Sequence, residues 1–140
     1  MSEFSRFMKQ NKKKREPAVF AVTRSLVDED GEPLVWAFQP ISTRENEAIR
    51  EDCMVEVASP RGGVRTRLNT AKYMTQMICA TVKEPNLYDK QLQDSYGVMT
   101  AEELLKEMVD HPGEYMALSG FVQEINGFTT LEEKVKEAKN

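Results

Sequence analysis

The chain has 140 residues, 40% of them hydrophobic and 30% charged, with a formal net charge of −4. That length fits one domain with a real core, and the composition excludes wholesale disorder. No apolar run approaches the roughly 20 residues that cross a bilayer, and the opening MSEFSRFMKQNKKKR lacks the apolar centre of a secretion signal, so the expected location is the cytoplasm.

Phe4, Phe7 and Met8 follow Ser2 at helical spacing and share one side of a short helix. It stops at a basic run, Lys9, Lys12, Lys13, Lys14 and Arg15, and at Pro17, so residues 1–17 read as a flexible helix with a basic segment. Residues 19–27 read as a strand with Phe20, Val22 and Leu26 on one face. A polar turn, 28–33, leads to a second strand on which Leu34, Trp36 and Phe38 alternate. A two-stranded hairpin is marginal alone, so its apolar face needs helices or further strands. MVEV at 54–57 and VRTR at 64–67 are the expected source of those strands, joined by the turn residues Ser59, Pro60, Gly62 and Gly63. Between the hairpins, Ser42 and Glu45 have the spacing of a capping box and start a helix that turns Ala48, Ile49 and Cys53 inward.

A longer helix starts after Asn69 and Thr70, runs AKYMTQMICATVKE, buries Tyr73, Met77, Ile78 and Val82, and ends before Pro85. Its methionines and cysteine read as core filling, since no ligand set for a soft metal accompanies them. Tyr88, Leu92 and Tyr96 then recur every fourth residue up to Gly97. Thr100 with Glu103 makes a second capping box ahead of Leu104, Leu105, Met108 and Val109. Pro112 opens a helix carrying Tyr115, Leu118, Val122 and Ile125, closed near Gly127. The last helix, TLEEKVKEAK, has only Leu131 and Val135 as a narrow apolar stripe. The fold class is α+β, an N-terminal antiparallel β-hairpin or small sheet packed against a mostly helical C-terminal half. It forms one domain over 1–140, with a β-rich part at 18–68 and a helical part at 69–140.

The residues show no catalytic grouping. His111 is the single histidine and has no nucleophile or orienting partner in its sequence neighbourhood. Cys53 and Cys79 have no metal-ligand spacing and read as reduced structural thiols. Asp28, Asp30 and Gly31 lack the ligand spacing of a calcium loop, and Arg61, Gly62 and Gly63 lack the lysine and hydroxyl of a phosphate loop. The expectation is a non-enzyme without cofactor or metal, whose surface is its function. Two basic clusters, the lysine run and Arg61, Arg65 and Arg67, leave open a different class, a small nucleic-acid-binding regulator. The absence of interleaved aromatics in the lysine run favours a solvated segment instead.

The string PNLYDKQLQDSYGVM, continued by AEELLKEMV, GEY, NGF and the terminal EEKVKEAKN, resembles the XkdN-like tail assembly chaperones of PBSX-type prophages and related long-tailed phages. The similarity is strongest over 73–140, and LQDSYGV and GEY are its most specific segments. Asn86 and the stretch Asp110, His111, Pro112 depart from the pattern. The resemblance implies a protein that binds the tape measure protein, keeps its apolar helices from aggregating and helps recruit tail tube protein, leaving before the tail is complete. Phe4, Phe7 and Met8, or Leu131 and Val135, are the candidate contact residues, unless they pack on their own domain. It also implies a frameshifted longer form of the chain. Ala138, Lys139 and Asn140 can be encoded as GCA AAA AAC, a sequence on which ribosomes slip back by one nucleotide.

Overall fold

The computed structural model describes residues 3–128, so the last helix expected from the sequence, with Leu131 and Val135, falls outside the described residues. Two tight 3-10 turns, Glu3–Phe7 and Lys9–Asn11, open the chain where a short helix is expected. Strand β1 (Ala18–Ala21), strand β2 (Val35–Phe38), helix α1 (Thr43–Asp52) and the strand pair β3 (Met54–Ala58) and β4 (Val64–Leu68) follow. Then come helix α2 (Thr70–Thr81), strand β5 (Val82–Glu84) and helices α3 (Lys90–Ser95), α4 (Ala101–Met108) and α5 (Pro112–Ile125). The architecture is α+β, as the sequence indicates.

The main sheet has the order β1-β2-β5 and is antiparallel. Phe20 pairs with Trp36, Ala18 with Phe38, and Phe38 with Val82. Because side chains alternate along a strand, these residues share one face. Trp36 and Phe38 on it are buried, and Phe121 of α5 stacks on Phe20 at 4.5 Å between ring centroids and meets Phe38 edge-on at 5.0 Å. Burying each of those two large side chains contributes about 2–3 kcal/mol. Behind the sheet lies α2, whose Met77, Ile78 and Cys79 join Leu104 and Leu105 of α4 and Leu118 and Val122 of α5 in one continuous core.

Several expectations change. The third strand of the main sheet is β5, which the helical reading of 71–84 missed, and not 54–57 or 64–67. Helix α2 stops at Thr81, where the Thr81 hydroxyl donates to the Met77 carbonyl and its own carbonyl accepts the Gln39 N–H at 2.9 Å. The β-branched Val82 then pairs into the sheet. β3 and β4 do pair with each other, Val55 opposite Arg67 and Val57 opposite Arg65, but as a separate ribbon in which no residue is buried. Strand β1 ends at Ala21, and Leu34 is exposed ahead of β2. Ala48 faces solvent, while Asn46, Ile49 and Cys53 form the inner side of α1. Tyr88 is exposed, and Leu87 takes the buried place instead.

The end signals hold. Ser42 and Glu45 form the full capping box, Asn69 caps α2, Asp89 caps α3 and the Thr100 hydroxyl accepts the Glu103 N–H. In the turn between β1 and β2 the Asp28 carboxylate accepts the N–H groups of Asp30 and Glu32, and Gly31 takes the positive φ of 82° that the turn requires.

Asn126, just past α5, ties three elements together. Its Oδ1 accepts the Ile41 N–H at 2.8 Å, and its Nδ2 donates to the Thr81 hydroxyl at 3.1 Å and the Val122 carbonyl at 3.0 Å. Replacing it leaves the Ile41 N–H and the buried Thr81 hydroxyl short of partners. Asn126→Ala is expected to lower unfolding free energy by about 2 kcal/mol, read as a shift of the urea midpoint.

Candidate functional site

The potentially reactive side chains are buried, spent or solitary. Burial pushes the Cys79 thiol up to about 12, with the negative charge of Glu102 adding to it. Burial likewise raises Cys53, partly offset by Lys72, and its Sγ lies 3.5 Å from Gln76 Oε1. Neither is a thiolate nucleophile near neutral pH. His111 sits on the surface at the start of α5, its Nε2 3.9 Å from Asp110 Oδ1. Among the described residues no group of three or more His, Cys, Asp or Glu side chains gathers to hold a metal, and no helix is long and apolar enough to cross a membrane.

Glu114 is committed to structure. From the first turn of α5 its carboxylate accepts the Thr23 hydroxyl at 2.7 Å and the Arg24 N–H at 2.9 Å. The Arg24 N–H and then the Thr23 hydroxyl hold its carboxyl below the ordinary value. This clamp holds the chain leaving β1 against α5, next to buried Val22 and Thr23.

The apolar surface is the opposite case. Phe4 and Phe7 are 77% and 86% exposed, and Met8 is exposed beside them, so packing on their own domain does not account for these three. Sequence reasoning passed over a second surface. With Phe20, Trp36 and Phe38 turned inward, the outer face of β1 and β2 presents Val19, Ala21, Val35 and Ala37, Val19 and Val35 being 67% and 60% exposed. No polar side chain interrupts these four positions. The signal was present in the strand alternation, since both faces of β1 are apolar in a sheet that helices cover on one side only. Leu131 and Val135 lie outside the described residues.

The two basic clusters do not merge. The lysine run lies beside Ser42 and Thr43 at the start of α1, whereas Arg61, Arg65 and Arg67 sit on the β3–β4 ribbon that follows its end. The helix between them is about 15 Å long, and it exposes Glu45, Glu47, Glu51 and Asp52 together with Arg44 and Arg50, a net negative stretch.

A folded body that keeps its thiols inside and leaves apolar side chains outside on two of its faces has the build of a protein-binding module. The chain matches the family described as phage XkdN-like tail assembly chaperone protein over residues 4–139, nearly its whole length, and it belongs to that family. Among solved structures it is similar to the crystal structure of the protein YqbN, with a TM-score of 0.76 and 20% identity over 92% of this chain and 99% of that one. At that identity the likeness is one of fold. No curated protein sequence matches the chain. The role that follows from the family is that of a chaperone in phage tail assembly, with tail proteins as partners.

Two measurements check these assignments. Because the folded-state pKa of Glu114 is depressed, its clamp stabilises fully above the ordinary glutamate value of 4.5 and fades as pH falls through the lowered one. Glu114→Gln should therefore lower Tm near neutral pH, with the gap to the parent closing in acid. Thiol titration of the native chain with a disulfide reagent should be slow, and both cysteines should react at once in denaturant.

Proposed function

We propose that the chain binds the tape measure protein of its phage, covers apolar stripes on its helices until the tube forms around them, and helps bring tail tube protein to the growing tail in the host cytoplasm. Membership of the tail assembly chaperone family is the observation that carries this reading. The exposed apolar surfaces support it. A helical client presents apolar residues at three- and four-residue spacing, and a flat face of small β-branched and alanine side chains offers such a stripe contact with little side-chain entropy to lose. Phe4, Phe7 and Met8 add a second contact on a segment that precedes the sheet. The work is done by burial of apolar surface, and no chemical step is part of it.

A regulator acting on nucleic acid draws less support, because its two basic clusters lie at opposite ends of a helix whose exposed carboxylates outnumber its two exposed arginines. A longer, frameshifted form of the chain fits the same role, and the codons for residues 138–140 test whether it can be made.

Coexpression tests the reading. The tape measure protein is expected in the soluble fraction with the chain and in the pellet without it. Val19→Lys with Val35→Lys, both on the outer sheet face, should return most of it to the pellet while the circular dichroism of the chain stays that of the parent. Equal solubility with and without the chain would contradict the role.

A further inference from the structure

The lysine run is not simply a solvated spacer. Lys9, Lys12, Lys13, Lys14 and Arg15 line one wall of an open cleft of about 920 Å³. The opposite wall comes from the segment after β2, the start of α1 and the end of α5, including Gln39, Asn46 and Phe128. The chain places the cations there because β1 runs antiparallel to β2, so that the residues preceding Ala18 continue alongside those following Phe38.

Among the described residues none of these five cations makes an ion pair. Five like charges within seven residues raise a local positive potential on a chain whose net charge is −4. Such a wall attracts a partner bearing negative charge, and two features select the kind. Phe128 is a single half-exposed aromatic, 47% accessible, enough to receive one apolar side chain but not a stacking platform for successive bases. Helix α1, running from the rim of the cleft, exposes Glu45, Glu47, Glu51 and Asp52 against Arg44 and Arg50, so its net charge is negative. That helix would repel a polyanion that continued past the cleft, yet a short acidic segment ends before meeting it.

We infer that this cleft docks an acidic segment of the client polypeptide, fixing its position while the apolar faces cover its helices. The inference rests on the client being a protein, as proposed above. Electrostatic complementarity of this sort speeds encounter and sets register more than it adds affinity.

The test uses the purified full chain and a fluorescein-labelled oligoglutamate peptide. The parent should bind it, and more weakly as salt rises. The triple variant K12E/K13E/K14E should bind roughly ten-fold or more weakly, since it reverses three exposed charges, and R65E/R67E on the ribbon should bind as the parent does. Both variants alter exposed side chains, and circular dichroism checks their fold. Absence of parent binding, equal binding by the triple variant, or tighter parent binding to a labelled single-stranded oligonucleotide at the same salt would overturn the inference. Coexpression separates it from the broader role. A triple variant that solubilises the tape measure protein as well as the parent does removes the cleft and leaves the chaperone, whereas a parent that fails to solubilise it removes the chaperone.

Discussion

Everything in this molecule is oriented by the contact between the aromatic inner face of a small sheet and the helices behind it. Phe20, Trp36 and Phe38 gain free energy by leaving water, and Phe121, with α2 beneath, gives them apolar partners. Once that face is inside, alternation along the strands leaves Val19, Ala21, Val35 and Ala37 outside. The same contact sets the course of the N-terminal segment, because β1 in register with β2 carries the lysines past Gln39 toward the end of α5. Outer sheet face and basic wall are thus consequences of one packing decision, supported at its edge by Asn126 and at the exit from β1 by Glu114.

The local punctuation of the chain was legible from residues alone. Capping pairs at Ser42 and Thr100, the turn at Asp28, the proline at α5 and the glycines at 97 and 127 act within four residues of themselves, so spacing is enough to read them. What depended on distant partners was not legible. Val82, Lys83 and Glu84 continue a helical pattern, and only the edge of β2, more than forty residues earlier, makes them a strand. The ribbon 54–68 alternates as a core strand pair would, yet the place beside β2 that it was expected to take is occupied by β5. Tyr88 has the right spacing for a buried helix face, but α3 starts only after Asp89, and Leu87 turns in instead.

For function, the segments LQDSYGV and GEY pointed to the family, and the match over residues 4–139 shows it. Two apolar surfaces stay exposed on this chain. Phe4, Phe7 and Met8 were singled out by spacing and are exposed, while the outer sheet face was overlooked because a strand's buried side draws attention first. The two surfaces are of different make: one is an aromatic pair on a tight turn, the other a flat array of small side chains.

Hydrogen exchange of the chain, free and in complex with the coexpressed tape measure protein, tests the central claim most directly. The account predicts that the amides of residues 4–8, 18–21 and 35–37 slow on binding while those of α4 stay as they were. Slowing confined to α3 and α4, with the outer sheet face and the N-terminal turn unchanged, would contradict it.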